Sequence, residues 1–248
     1  MTGALAALAF LPGLAIGSFL NVVAARVPAR ISIVAPRSAC PGCSAELAWY
    51  DNIPIVSYLL LRGRCRTCGA AISVSYPLVE LGTALLVSAC ILAFGVTPEA
   101  AIAGFVCAVL VVITVTDLER RVIPNWVVLP AAAVVLAAQT AVRPSPVWAI
   151  AALGSSLALF LVALAYPGGL GMGDVKLALL IGATLGVVAP VALMIGMVCA
   201  LVPSIVLLAR HGSAARKMAI PLGPFLALGA VVGIFAGHAI LHAYLGLM

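Results

Sequence analysis

The chain has 248 residues, of which 65% are hydrophobic and 8% are charged. Soluble domains carry about 25% charged residues, so this composition excludes a water-soluble domain and predicts a polytopic membrane protein. The formal net charge of +6 is therefore no indication of a nucleic-acid partner. In a membrane protein, the placement of Lys and Arg reports orientation in the bilayer instead.

About eight apolar stretches approach the roughly 20 residues that a helix needs to cross a bilayer. The first is preceded by no positive residue and is followed by arginines, which argues for a retained span and against a cleaved signal peptide. The sixth and seventh are separated only by Ala189 and Pro190, so seven spans are the alternative count. The stretches are 4–25, 77–94, 99–116, 126–142, 147–166, 175–188, 191–209 and 220–245.

Loop charge favours eight spans with the N-terminus outside. This arrangement places 12 of the 13 Lys and Arg residues on the cytoplasmic side, in agreement with the positive-inside rule. Seven spans would move Arg210, Arg216 and Lys217 outside. With eight spans, Asp117 ends the third and Asp174 begins the sixth, so we expect both carboxyls at the cytoplasmic face.

A polar insert, residues 26–76, separates the first two spans and carries two C-x-x-C pairs with 21 residues between them. Such pairs are typical of tetrahedral zinc sites. Disulfides and a thioredoxin-like redox site are the alternatives, but a cytoplasmic insert is reduced and no βαβ pattern is present. We expect a closed, structural zinc site, and we expect the apolar segment 53–61 to pack back onto the membrane domain. The predicted zinc ligands are Cys40, Cys43, Cys65 and Cys68.

Asp117 and Asp174 are the candidate catalytic pair. Burying an ionisable side chain in an apolar segment costs free energy, so such residues commonly have a function. Two adjacent carboxylates share a proton, so one acts as a base while the other donates a hydrogen bond. Gly171 and Gly173 would admit a substrate strand, with Lys176 beside them. The alternative is structural: Asp174 caps a helix, and Asp117 pairs with one of the arginines at 120 and 121.

The order of motifs along nearly the whole chain resembles that of type IV prepilin leader peptidases, and the Gly-x-Gly-Asp form at 171–174 is similar to that of membrane aspartyl proteases. The resemblance implies that Asp117 and Asp174 are catalytic. Gly171, Gly173 and Lys176 are the candidate substrate loop, and no glycine-rich nucleotide loop is evident in the sequence. The motifs are 17–23 (GSFLNVV), 36–38 (PRS), both cysteine pairs, 51–54 (DNIP), 76–80 (YPLVE), 123–125 (IPN), 171–176 (GMGDVK) and 221–225 (PLGPF).

The resemblance further implies cleavage of the basic leader of type IV prepilins and pseudopilins, followed by methylation of the new N-terminal residue with S-adenosylmethionine. Glu80 and Gly82 are the candidates for the methyl-donor site. The expected organisation is a first helix (1–25), a zinc-bearing cytoplasmic insert (26–76) and an all-α protease core (77–248) in the bacterial inner membrane. A peptidase without methyltransferase activity and a non-enzymatic scaffold of a pilus or secretion system are the alternatives.

Overall fold

The structure is a computed structural model in which residues 2–166, 169–212 and 220–246 are described. It divides into two compact units, Met1–Val112 and Ile113–Met248. The described residues form α-helices, short 3-10 turns and two isolated β-bridges, with no β-strand. The predicted all-α architecture is confirmed. Arg216 and Lys217, which contributed to the predicted orientation, lie outside the described residues.

The first unit pairs two long helices at very short distance. Helix α1 (Thr2–Arg26) lies against α3 (Ser75–Phe94), while α4 (Pro98–Arg120) begins in this unit. A Cβ added to Gly13 or Gly17 would lie 2.7 or 2.6 Å from a backbone Cα atom of α3. Small residues at this spacing let helix backbones approach closely in a membrane.

The insert between α1 and α3 contains one 3-10 turn, Trp49–Asn52, and the short helix α2, Val56–Leu60. The backbone N–H of Ile55 donates a hydrogen bond to Glu80 Oε2 on α3 at 2.7 Å. Segment 53–61 is therefore tied to α3 at Ile55, whereas its side chains Leu59 and Leu60 are 67% and 78% exposed, so the expected packing of its apolar side chains is not observed there.

The second unit surrounds a short, central helix. Its helices are α5 (Asn125–Val142), α6 (Val147–Ala165), α7 (Met172–Leu185), α8 (Ala189–His211) and α9 (Gly223–Leu245), together with the end of α4. Leu177, Ala178, Leu180 and Ile181 of α7 are each at most 1% exposed. A helix buried on all sides forms the core of a helical protein, and α7 has that place here.

Seven apolar stretches among the described residues are long enough to cross a membrane, and one of them, Met172–His211, is 40 residues long. That stretch folds as two helices, α7 and α8, with a 3-10 turn at Gly186–Val188 between them. The predicted separation of this stretch into two helices is confirmed, but the predicted position of the break, at residues 189 and 190, is wrong. Proline is tolerated in the first turn of a helix, so α8 starts at Ala189 and the chain reverses just before it.

Contacts with α9 show that α7 and α8 run in opposite directions. A Cβ on Gly196 of α8 would lie 2.8 Å from the carbonyl oxygen of Phe225, near the start of α9. Further along α9, a Cβ on Gly233 would lie 2.6 Å from Leu185, at the end of α7. The starts of α7 and α9 consequently lie on the same side of this unit.

Candidate active site

Asp117 lies in the last turn of α4, which extends to Arg120 and thus one turn beyond the predicted end at residue 116. Its side chain is 6% exposed. The N–H of Gly223, at the start of α9, donates to Asp117 Oδ2 at 2.8 Å. The first N–H groups of a helix have no partner within the helix and favour an anion, so α9 supplies a donor that this buried carboxyl requires.

Asp174 lies in the first turn of α7 and is 9% exposed. Its Oδ2 atom accepts a hydrogen bond from the N–H of Gly171 at 3.2 Å, while its own N–H donates to the Gly171 carbonyl at 3.1 Å. These reciprocal bonds form a helix cap. The structural role considered for Asp174 is therefore present, but it uses only one carboxyl oxygen.

Both carboxyls are buried within the second unit, Asp117 at the end of α4 and Asp174 at the start of α7. Both hydrogen bonds from glycine N–H groups go to Oδ2. No hydrogen bond from another residue in the described part of the chain reaches the second oxygen of either carboxyl, which can therefore bind a water molecule or a peptide. Two buried carboxyls that meet can share one proton and act together as acid and base.

The predicted substrate loop lies beside this pair and is tied to the start of α5. A Cβ on Gly173 would lie 2.9 Å from Ile123 Cβ, so only a glycine fits there without displacement. Lys176 Nζ donates to Asn125 Oδ1 at 2.8 Å. The ammonium of Lys176 therefore holds the first turn of α7 against the first residue of α5.

The residue patterns alone did not indicate that Gly223 and Asn125 belong to this site. Both occur in motifs that carry the family resemblance, 221–225 and 123–125. The physical signal available for Gly223 was its place at a helix start, where free N–H groups are exposed. That signal does not predict which carboxyl will accept a hydrogen bond from the N–H group.

The four cysteines predicted as zinc ligands come together in the insert. Their Sγ atoms all lie within 4.8 Å of one another, and those of Cys40 and Cys68 are 3.8 Å apart. Zn–S bonds of 2.3 Å in a tetrahedron place the sulfur atoms about 3.8 Å apart. The donor set and its spacing therefore fit a four-coordinate metal ion, with all four positions filled by protein.

The two C-x-x-C turns have the same backbone geometry. The N–H of Cys40 donates to Ala45 O at 2.9 Å, and the N–H of Cys65 donates to Ala70 O at 2.8 Å. The backbone N–H groups of Cys68 and Thr67 lower the pKa of the Cys65 thiol to about 6. A thiol lowered in this way is ready to serve as a thiolate ligand at neutral pH.

Glu80 and Gly82, the candidates for a methyl-donor site, have very different surroundings. Glu80 is 7% exposed, its carboxylate accepts a hydrogen bond from the Ile55 N–H, and a Cβ added to Gly17 of α1 would lie 2.6 Å from the Cα atom of Glu80. A Cβ on Gly82 would meet no atom within 4 Å. The structure thus joins Glu80 to α1 and the insert, and it does not bring Gly82 into the same cluster.

Comparison with known proteins identifies the family to which this chain belongs. Residues 11–94 match the bacterial peptidase A24 N-terminal domain, and residues 104–209 match the type IV leader peptidase family. A prepilin leader peptidase/N-methyltransferase of Bacillus subtilis (strain 168) is 34% identical, with 95% of this chain and 96% of that protein aligned. The protein of the same name from Aeromonas salmonicida (strain A449) is also 34% identical, over 96% of this chain and 93% of its own length.

A third relative with that name, from Myxococcus xanthus (strain DK1622), is 53% identical over 49% of this chain and 36% of its own length. No solved structure matches the chain. The two domain matches and the near full-length relatives agree with each other in order and extent. The chain belongs to the type IV leader peptidase family.

Proposed function

We propose that this protein removes the basic leader of type IV prepilins and pseudopilins with an aspartyl pair, and then methylates the new N-terminal residue. The observation that carries the peptidase half is the pair of buried carboxyls, Asp117 and Asp174, each held through Oδ2 by a glycine N–H. Relatives that match over most of this chain are named for both activities.

The proposed cleavage needs only groups that the chain supplies. The ionised carboxyl takes a proton from a water molecule, which adds to the scissile carbonyl, while the protonated partner donates a hydrogen bond to the carbonyl oxygen. The tetrahedral intermediate then collapses as the leaving amine accepts a proton. Asp117 and Asp174 exchange the roles of acid and base between these steps.

The protein is a multi-pass membrane protein, and we infer that both aspartates face the cytoplasm and that the N-terminus is outside. The distribution of Lys and Arg supports this orientation. A basic leader would be retained on the cytoplasmic side by the same rule. Its cleavage point would then meet the side of the membrane on which we place Asp117 and Asp174.

We further propose that Cys40, Cys43, Cys65 and Cys68 hold one Zn²⁺, which stabilises an insert (26–76) between the first helix (1–25) and the protease core (77–248). An insert of this size has little core of its own, and small domains commonly need such a metal. S-adenosylmethionine would supply the methyl group. Glu80 remains a candidate for this second activity, because its carboxylate is buried beside the insert.

Co-expression with a prepilin tests the peptidase assignment. Asp117→Asn and Asp174→Asn should each abolish leader removal, because neither amide can act as acid or base. Asp51→Asn is the matched control, since Asp51 pairs with Arg66 in the insert. Mass spectrometry of the pilin measures the outcome, and normal processing by either variant of the pair would exclude an aspartyl mechanism.

The same experiment separates the alternatives. A mature pilin that carries an added methyl group of about 14 Da supports the bifunctional assignment, whereas cleavage without this mass supports a peptidase alone. A scaffold would be insensitive to both aspartate substitutions and sensitive to loss of Cys40.

A further inference from the structure

The short helix α2 presents apolar side chains to its surroundings. Val56, Leu59 and Leu60 are 48%, 67% and 78% exposed, and Trp49 in the preceding turn is 81% exposed. The spacing i, i+3 and i+4 places the three aliphatic side chains on one helix face. Ser57 and Tyr58 are less exposed than these neighbours. The helix therefore turns its apolar face outward, which marks an interaction surface.

The level of this helix along the membrane helices follows from the Ile55–Glu80 hydrogen bond. Helix α3 has 20 residues, Ser75–Phe94, and would extend for about 30 Å, which is the thickness of the hydrocarbon core. Glu80 is about 8 Å along this axis from Ser75. If α3 spans this core, the residue directly before α2 lies about 8 Å from its boundary, within the depth of about 5–10 Å to which the apolar face of an interfacial helix is buried.

Basic residues follow the apolar face directly. Arg62 and Arg64 are exposed, and neither forms an ion pair with a carboxylate of the described residues. Arg66 is different, because it binds Asp51 at 2.6 Å. Exposed, unpaired arginines beside an apolar helix are complementary to acidic lipid headgroups. They would repel a basic peptide, which argues against a prepilin leader as the occupant.

We propose that segment 49–64 docks in the interface of an anionic bilayer. Trp49, Leu59 and Leu60 enter the boundary between headgroups and acyl chains, where tryptophan is favoured. Arg62 and Arg64 extend to the lipid phosphates, because their long stems allow the guanidinium groups to remain hydrated. The partner is therefore a lipid surface, and this proposal is independent of the catalytic assignment.

Fluorescence of Trp49 in the full chain tests the docking. Trp126→Phe and Trp148→Phe leave Trp49 as the single tryptophan, because the sequence has three. The protein is placed in nanodiscs of phosphatidylcholine, with increasing phosphatidylglycerol and with quenching labels at either end of the acyl chain. We expect blue-shifted emission, stronger quenching by the label near the headgroup, and an increase in quenching with phosphatidylglycerol.

Variants in the same single-tryptophan background identify the residues responsible. Leu59→Gln with Leu60→Gln should reduce the quenching in all discs. Arg62→Gln and Arg64→Gln should each weaken the dependence on anionic lipid by about fivefold. Arg37→Gln, the loss of another exposed insert arginine, should leave it unchanged. Circular dichroism and thermal unfolding establish that each variant is folded.

Several results would overturn the proposal. Trp49 emission typical of water, with equal quenching in neutral and anionic discs, would show that the segment stays off the membrane. An equal loss in Arg37→Gln would replace the specific surface with a general charge effect. Quenching that appears only when a prepilin is added would assign the apolar face to the substrate.

Discussion

Replacing Gly223 by alanine should disable the Asp117 carboxyl while leaving helix α9 intact. A Cβ at this position would lie 2.7 Å from Asp117 Oδ2 and 3.1 Å from its Cγ. These atoms belong to the side chain that accepts the Gly223 N–H hydrogen bond. Gly223 is not among the glycines with positive φ, so alanine is compatible with the local backbone. The expected damage therefore comes from displacement of the carboxyl.

The size of the effect follows from the bond that is lost. A hydrogen bond to a charged group contributes about 1.5–3 kcal/mol, which corresponds to a decrease of about 10- to 150-fold in the rate of the chemical step. Gly171→Ala should have a smaller effect. Its Cβ would lie 3.1 Å from Asp174 Oδ2, so a small movement of the carboxyl relieves the contact.

The assay is single-turnover cleavage of a prepilin by purified enzyme, followed by the mass of the product. Gly104→Ala on α4 is the control, because a Cβ there would meet no atom within 4 Å. We expect activity to decrease in the order Gly104→Ala, Gly171→Ala, Gly223→Ala. Cleavage by folded Gly223→Ala at the wild-type rate would refute the role of this hydrogen bond, and an equal loss in Gly104→Ala would refute the steric explanation.

Three further predictions concern the metal, the loop anchor and the helix pair. Cys65→Ser should lose bound zinc, measured by elemental analysis of the purified protein, because one of four thiolate ligands is missing; full retention of zinc would contradict the site. Asn125→Ala and Lys176→Met should be non-additive in cleavage rate, with a coupling of about 0.5–1.5 kcal/mol, and full additivity would show that their hydrogen bond has no role. Gly13→Ala should lower the free energy of unfolding in detergent by about 1–3 kcal/mol, whereas Gly3→Ala, with no neighbour within 4 Å, should not; equal stability of the two would contradict the close packing of α1.

The sequence was sufficient for features that depend on local composition and spacing. Apolar length predicted the helices, because each span must satisfy its backbone hydrogen bonds internally. The spacing of cysteines predicted the cluster, since each C-x-x-C pair forms its own turn. The boundaries were less accurate: α4 continues through Asp117 to Arg120, and the reversal before α8 occurs at Gly186–Val188. Helical propensity and turn geometry at these points are weak signals compared with apolar length.

The hydrogen-bond partners of the two aspartates show the same difference between local and long-range features. The bond between Asp174 and Gly171 joins residues three apart, and a helix cap of this kind can be inferred from the chain alone. Asp117 and Gly223 are 106 residues apart, and no local pattern relates them. Composition and motif order by themselves determined that this is a helical membrane protein with a cysteine cluster and two unusual carboxyls. Only the packing of α4 and α9 decided that a helix start meets Asp117, because that distance depends on how whole helices pack.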